Sequence, residues 1–154
     1  MRMLCPFSVV EATLAQLREA GHSRRECVML WLGRRDGERI QVVDAYRPLQ
    51  TAKADMFRIN RAGMSALHDE LRRQRVMVAA QVHSHPMEAF HSKADDEWAI
   101  VRHEGALSLV VPHFASSTTL GNFLAQTKVY RFAPSAQWIE VPRPEVQQTC
   151  LQIV

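Results

Sequence analysis

The spacing of hydrophobic residues near the N-terminus predicts an amphipathic helix as the first element. Val10, Leu14 and Leu17 recur at helical spacing, so they lie on one face of a helix. Ser8 opens a Ser-Val-Val-Glu capping box, and Gly21 supplies a signal for the helix end. We therefore expect a helix between these two residues.

A β-hairpin is predicted directly after this helix. Residues 27–32 form an apolar, strand-like run, and residues 40–46 return as a second strand. Asp36 and Gly37 lie between the two runs and form a dipeptide that favours a tight turn. The two runs are therefore expected to pair as neighbouring antiparallel strands.

A second helix followed by a buried strand is predicted in the middle of the chain. Asn60 can cap this helix, and Ile59 and Met64 occupy the hydrophobic-staple positions around the cap. The run 76–82 is almost continuously apolar, which is typical of a strand that is buried on both faces.

The remainder of the chain predicts one more helix and three more strands. The helix runs from about 93 to 104, a buried strand follows at 107–111, and 123–132 forms a late hairpin with 137–141. The tail, 142–154, is either a docking strand or a loose end. The order α-β-β-α-β-α-β-β-β predicts an α/β (α+β) fold in which helices pack on a mixed sheet.

Composition narrows the class of protein. The chain has 154 residues, of which 47% are hydrophobic, so one domain spanning 1–154 can bury a core. No apolar run is long enough to span a bilayer, and no signal-peptide pattern is present, so we expect a cytoplasmic protein with no membrane partner. The net charge is +3 without a long basic run, so we expect no nucleic-acid partner.

The three cysteines argue against thiolate chemistry. Cys5, Cys27 and Cys150 are dispersed along the chain, with no Cys-x-x-Cys pair among them. This arrangement favours neither a disulfide framework nor a cysteine-bound zinc ion. Any bound metal must therefore take its ligands from histidine and carboxylate side chains.

Candidate metal ligands follow the buried strand predicted at 76–82. His83 and His85 are separated by one residue, so at strand periodicity both side chains project from the same face. Asp95, in the first turn of the next predicted helix, can supply a carboxylate. Three protein ligands with a fourth position left for water are the pattern of a catalytic zinc site, where zinc makes a nucleophilic water available near neutral pH.

Each part of this pattern also has a purely structural explanation. A His-x-His pair is often structural, and Ser92-x-x-Asp95 by itself is a capping box for the third helix. The combination of strand, paired histidines, proline, short loop and capped helix favours the metal site over these explanations.

The same residues carry a resemblance to a known family. Glu26, His83-Ser-His-Pro, Ser92 and Asp95 resemble the signature E…H-S/T-H-P…S-x-x-D of the JAB/MPN (JAMM) metalloproteases, and the resemblance extends over about 26–114. Members of this family remove ubiquitin or ubiquitin-like proteins from their conjugates. The resemblance implies a cytidine-deaminase-like fold, with a curved mixed sheet packed between helices.

The resemblance also implies a role for each matching residue. His83, His85 and Asp95 resemble the zinc ligands of the family. Glu26 resembles the residue that takes a proton from the catalytic water and then protonates the leaving amine. Ser92 resembles the hydroxyl that stabilises the oxyanion.

One departure from the family pattern leaves an alternative for the third ligand. Nine residues separate His85 from Asp95, one fewer than the family usually has. Asp96 restores the usual count but breaks the Ser-x-x-Asp spacing. Because neighbouring helical positions point about 100° apart, only one of the two aspartates can reach the metal. Asp95 is preferred, since a loop deletion is easier to accommodate than a shifted helix.

Two residues of the loop before Ser92 are weaker candidates for a role at the site. His91 is either a second-layer group or, as we expect, a solvent-exposed loop histidine. Phe90 is apolar in a polar loop and is a candidate for contacting the substrate.

The resemblance leaves three functions to compare. The first is a zinc (iso)peptidase that acts on a ubiquitin-like protein or its conjugates. In favour of this function, the chain resembles stand-alone prokaryotic JAB proteins. Such proteins accompany enzymes that activate and conjugate ubiquitin-like proteins, notably in antiphage systems. The second is a zinc hydrolase that processes a sulfur carrier or a small amino compound. The third is a non-catalytic MPN scaffold, which is disfavoured because the full ligand set is present. A deaminase is also disfavoured, because its Pro-Cys-x-x-Cys ligands are missing.

Overall fold

The computed structural model of the protein describes residues 1–52, 57–92, 95 and 99–154. Within these residues, eight strands form one mixed sheet in the order β10-β1-β3-β2-β6-β7-β8-β9, and β4 pairs with β5 in a separate small hairpin. The strands are β1 (Arg2–Cys5), β2 (Val28–Asp36), β3 (Arg39–Tyr46), β4 (Thr51–Ala52), β5 (Phe57–Arg58), β6 (Met77–Ser84), β7 (Leu107–Val111), β8 (Lys128–Phe132), β9 (Trp138–Glu140) and β10 (Leu151–Ile153). The predicted α+β class with a mixed sheet is confirmed.

Helices cover both faces of the central strands. They are α1 (Phe7–His22), α2 (Arg61–Gln74), α3 (Phe123–Gln126) and α4 (Arg143–Thr149), with a short 3-10 turn at His113–Ala115. Met29 and Trp31 of β2 belong to the core cluster that contains Leu14 of α1. Leu30, on the opposite face of β2, belongs to the cluster that contains Leu67 of α2. Both faces of the first part of β2 are buried, which accounts for the continuous apolar run at 28–32.

The predicted hairpin and the predicted second helix are confirmed. β2 and β3 pair antiparallel around Gly37, whose φ is +60°. Asn60 accepts a hydrogen bond from the backbone N–H of Gly63 at 2.8 Å, as expected of a helix N-cap. The helix ends at Arg75, which adopts the left-handed conformation.

The capping box predicted at Ser8 is wrong, although the helix itself is present. The helix α1 begins at Phe7, so Pro6 rather than Ser8 occupies the N-cap position, and no side chain caps the helix. The carbonyl of Pro6 instead accepts from the backbone N–H groups of Val9 and Val10, at 3.0 and 3.3 Å. Proline holds the extended conformation that the residue before a helix needs, so the first turn starts there.

The helix predicted at 93–104 does not extend over its second half. Residues 99–104 are not helical, and the rest of the predicted range, apart from Asp95, lies outside the described residues. The backbone N–H of Ile100 donates to the side-chain oxygen of Gln81 in β6, at 2.9 Å. A backbone group that is used to bond a neighbouring strand is not available for a helical ladder.

The two ends of the chain meet at one edge of the sheet. The first element is the strand β1 rather than a helix, and it pairs in parallel with both β3 and β10. The tail is therefore a helix followed by a docking strand. The late hairpin of β8 and β9 is confirmed, but Phe123–Gln126 is a helical turn instead of strand. Within the described part of the chain, no helix is long and apolar enough to cross a bilayer.

Candidate metal centre

The end of β6 presents two histidine rings on one face of the sheet. His83 lies in β6 and His85 follows just beyond it, and the ring centroids are 5.2 Å apart. The parallel neighbour β7 holds this end of the strand. The backbone N–H of His85 donates to the carbonyl of Val111 at 2.8 Å, and the N–H of Phe114 donates to the carbonyl of His85 at 2.8 Å. Both imidazoles are buried.

Asp95 brings one carboxylate oxygen against both rings. Its Oδ2 lies 3.2 Å from Nε2 of His83 and 3.1 Å from Nε2 of His85. Ser92 fixes the carboxylate through a reciprocal pair of bonds: its N–H donates to Oδ2 at 2.8 Å, and its Oγ accepts from the N–H of Asp95 at 3.1 Å. Asp96, the alternative ligand, lies outside the described residues.

The two histidines determine the charge state of this carboxyl group. Burial by itself raises the pKa of Asp95, but hydrogen bonds with His83 and His85 outweigh burial and hold the pKa well below its usual range. The side chain is therefore an ionised carboxylate, which is the form that binds metal ions.

The distances within the cluster fit a metal ion. One ligand atom from each of His83, His85 and Asp95 lies within 4.8 Å of the others, and all three residues are buried. Ligand atoms of a tetrahedral zinc site, bound at about 2.0–2.2 Å, lie about 3.3–3.6 Å apart. The separations of 3.1 and 3.2 Å between the carboxylate and the rings are close to that spacing. Two imidazole nitrogens and a carboxylate oxygen are also a donor set that suits a divalent transition metal.

A second carboxylate lies beside the cluster. Glu26 is buried, and its Oε1 is 3.9 Å from Nε2 of His85. Its position depends on the next residue, because the N–H of Cys27 donates to Oγ of Ser84 at 3.1 Å and the carbonyl of Cys27 accepts from the N–H of Ser84 at 3.1 Å. These two bonds join the residue after Glu26 to the end of β6, between the two histidines.

Apolar side chains flank the open side of the cluster. Phe90 places its ring edge-on to His85, with centroids 4.7 Å apart and planes at 84°. Its side chain is 52% exposed, and that of Met87 in the same loop is 69% exposed. Phe90 therefore contacts a member of the cluster and also reaches solvent.

His91 does not lie in solvent, contrary to the expectation from the sequence. It is half-buried, and its Nε2 is 3.1 Å from Oγ of Ser108. Its ring lies against Tyr130 and Trp138, with centroids 4.9 and 5.4 Å away. The sequence contained no sign of this contact, because its partners lie on β7, β8 and β9, far along the chain.

The cysteine thiols are not among the residues of the cluster. All three are buried thiols, and no disulfide joins them. Burial raises the pKa of Cys27, the nearest one in sequence to Glu26, to about 11. A buried thiol with a raised pKa is a poor nucleophile, so Cys27 serves as core packing.

Comparison with known proteins decides the family. Residues 7–122 match the family of prokaryotic homologs of the JAB domain. The chain is a prokaryotic JAB protein. The family resemblance seen in the sequence motif is therefore confirmed.

Two other similarities agree with this assignment. The JAB chain is 32% identical over 141 residues to the probable metalloprotease y4jG of Sinorhizobium fredii, a match covering 89% of this chain and 85% of that protein. The fold of the JAB chain is similar to the solution structure of protein DSY2949 from Desulfitobacterium hafniense, with a TM-score of 0.69 and 19% sequence identity. The match covers 100% of this chain and 93% of that one. Family membership and the buried His-His-Asp cluster together support a metal-dependent hydrolase.

Proposed function

We propose that this JAB protein is a zinc-dependent isopeptidase or peptidase that cleaves after the C-terminal tail of a ubiquitin-like protein. The observation that carries the proposal is a buried cluster of His83, His85 and Asp95 with the carboxylate of Glu26 3.9 Å from one of its rings. The family match supports the choice of substrate class, and the relative described as a probable metalloprotease supports peptide-bond hydrolysis.

The ligand set favours zinc among the divalent metals. His83 and His85 would each provide an imidazole nitrogen and Asp95 a carboxylate oxygen, which leaves one tetrahedral position for water or substrate. A zinc ion held there would polarise the substrate carbonyl and make a water nucleophile available near neutral pH. A non-catalytic scaffold would have no need for this ligand set together with a buried glutamate.

Glu26 is the proposed proton carrier. Its carboxylate takes a proton from the attacking water and delivers it to the nitrogen of the leaving amine. The buried position excludes bulk water from this proton transfer. The bonds between Cys27 and Ser84 hold the carboxylate at a constant distance from the cluster, so little reorganisation is needed during the reaction.

Ser92 is the proposed donor to the oxyanion. Its Oγ already accepts the N–H of Asp95 at 3.1 Å, so its own proton is available to donate. A hydroxyl donor beside the cluster stabilises the negative charge that develops on the substrate carbonyl oxygen during attack.

The tail of the substrate is proposed to bind as an extended segment beside Phe90. An extended peptide aligned by main-chain hydrogen bonds brings its carbonyl to the metal without needing large side-chain pockets. The aromatic ring against His85 narrows the approach, so small residues before the scissile bond, glycine above all, fit best. The proposed partners are a ubiquitin-like protein or its conjugates and, as in the prokaryotic systems that the sequence resembles, cognate activating and conjugating enzymes in the cytoplasm, with antiphage defence as the setting.

A panel of reporter fusions tests this proposal. Ubiquitin-like proteins are fused through their natural tails to a fluorescent reporter, and a second set carries leucine or phenylalanine immediately before the junction. Zinc-loaded protein should release the reporter from glycine-ended fusions at least tenfold faster than from the bulky set, and Glu26→Gln protein serves as the inactive control. Hydrolysis of small amides with no cleavage of any fusion would instead indicate the other zinc hydrolase, one that acts on a sulfur carrier or a small amino compound.

A further inference from the structure

Two polar side chains are buried in the sheet beside the cluster of His83, His85 and Asp95, in positions where apolar residues would be expected. Gln81 lies two residues before His83 in β6, and therefore on the same face. Ser108 is its register partner in β7. Neither side chain is exposed to solvent. Burying an amide and a hydroxyl is unfavourable unless both are hydrogen-bonded, so the partners of these two groups indicate why they are present.

The side chains of Gln81 and Ser108 form a continuous series of hydrogen bonds that ends at His91. The backbone N–H of Ile100 donates to Oε1 of Gln81 at 2.9 Å, which fixes the orientation of the amide. The amide nitrogen of Gln81 therefore donates to Oγ of Ser108, at 3.1 Å. With that lone pair occupied, the Ser108 hydroxyl has its proton available for Nε2 of His91, 3.1 Å away.

The main chain of His91 is fixed as well as its ring. Its backbone N–H donates to the hydroxyl of Tyr130 at 3.1 Å, and the two rings pack with centroids 4.9 Å apart. The centroid of the His91 ring also lies 6.2 Å from that of His83, with the two planes at 65°. Side chain and backbone of His91 are thus attached to β7, the neighbour of β6, and to β8, the strand beyond it.

Ser92 follows His91 directly and is the residue that orients Asp95. The N–H of Ser92 donates to Oδ2 of Asp95 at 2.8 Å, the same oxygen that approaches both histidine rings. A displacement of His91 would therefore move Ser92 and, with it, the carboxylate. The loop before His91 has exposed side chains, among them Met87 and Phe90, and it is held by the N–H of His113, which donates to the carbonyl of Met87 at 2.9 Å.

We propose that His91 is a positioning residue, held by the Gln81–Ser108 pair and by Tyr130, which keeps Ser92 and Asp95 aligned with His83 and His85. This inference deepens the proposed function and rests on it for the zinc-affinity and catalytic readouts. His91 contacts no substrate in this proposal and acts through Ser92. Groups that orient metal ligands typically change metal affinity or activity by 10- to 100-fold when they are removed.

The test compares His91→Ala, Ser108→Ala and the double variant with the wild-type protein. Zinc affinity is measured by competition with a chromogenic chelator, and kcat and KM are measured on a cleaved fusion. We expect His91→Ala to lower zinc affinity at least tenfold and to lower kcat with little change in KM. The double variant should bind zinc no more weakly than His91→Ala alone, because in this proposal Ser108 influences the zinc ligands only through His91.

Two further variants separate positioning from general destabilisation. His91→Gln keeps a side chain that can hydrogen-bond to Ser108, and it should retain zinc affinity within a few-fold of the wild type. His103→Ala is the matched control, since His103 also bonds β6, through the carbonyl of Val78 at 3.0 Å. It should change stability in urea without changing zinc affinity.

A readout without metal keeps the inference independent of the proposed function. In metal-free protein, hydrogen exchange at the amides of Ser92 and Asp95 should accelerate in His91→Ala, and the amides of β2 should be unaffected. Wild-type zinc affinity and unchanged exchange in His91→Ala would overturn the inference, as would His91→Gln behaving like His91→Ala. Failure of the wild-type protein to cleave any fusion would count against the proposed function alone.

Discussion

The Oγ of Ser84 accepts a hydrogen bond from the backbone N–H of Cys27 at 3.1 Å. Ser84 stands between the two histidines of the cluster, and Cys27 directly follows Glu26. One buried hydroxyl therefore connects the segment that carries the proposed proton carrier to the strand that carries the proposed ligands. Across this connection, Oε1 of Glu26 lies 3.9 Å from Nε2 of His85.

Replacing Glu26 should separate catalysis from metal binding. Glu26→Gln removes the proton acceptor but keeps the size of the side chain, so activity should fall by about 10²-fold or more with zinc content unchanged. Steady-state kinetics and metal analysis on the same preparation measure both effects. Loss of zinc in this variant would show that Glu26 is a ligand.

Substitutions at Ser84 test whether its hydroxyl positions Glu26. Ser84→Thr retains the hydroxyl and should keep most of the activity. Ser84→Ala leaves the N–H of Cys27 without its acceptor and should cost about 1–3 kcal/mol of stability, measured by urea unfolding, together with a loss of activity. An alanine variant as active as the wild type would mean that this bond does not position Glu26.

Metal removal should abolish activity reversibly. Because two buried imidazoles and one carboxylate converge, we expect about one zinc ion per chain by elemental analysis. Chelation should stop cleavage and added zinc should restore it, while His85→Ala should lose both metal and activity. His68→Ala, an exposed histidine on α2, is the matched control and should keep both. Full activity in thoroughly chelated protein would refute metal dependence.

The identity of the third ligand is tested by two neighbouring substitutions. Asp95→Ala should sharply lower zinc affinity, since the Oδ2 atom of Asp95 lies 3.1 and 3.2 Å from the two ring nitrogens. Asp96→Ala should leave zinc affinity within a few-fold of the wild type. The opposite pair of results, by chelator competition, would assign the ligand to Asp96.

The lowered pKa of Asp95 predicts a loss of stability in acid for the metal-free protein. Burial by itself raises this pKa. The hydrogen bonds with His83 and His85 lower it by more than burial raises it, so the pKa lies below its usual range. A carboxyl whose pKa is depressed in the folded state contributes stability that is fully present above its unfolded pKa of about 3.9. That stability is lost as the pH falls towards the folded pKa.

Urea unfolding of metal-free wild-type and Asp95→Asn proteins measures this contribution. The stability difference between them should be largest near neutral pH and should shrink steadily from about pH 5 downwards. Asp36→Asn, in the exposed end of β2, is the control variant. A difference between wild type and Asp95→Asn that stays constant across this range would contradict the prediction.

The sequence by itself was sufficient for features that depend on short-range periodicity. The alternation of side chains along a strand placed His83 and His85 on one face, and the Asn60 cap followed from local chemistry. The apolar run 76–82 predicted a strand buried on both faces, and this run forms most of β6. In each case neighbouring residues contain all the information that determines the geometry.

Only the tertiary structure decided which distant residues meet. It placed His91 against strands that come later in the chain. It also showed that the C-terminal tail docks on β1 as the strand β10. Contacts of this kind depend on the packing of the whole sheet, and local spacing carries no information about them. The first turn of α1 differed for a local reason: Pro6 is the N-cap and its carbonyl accepts from the N–H groups of Val9 and Val10, so Ser8 lies inside the helix.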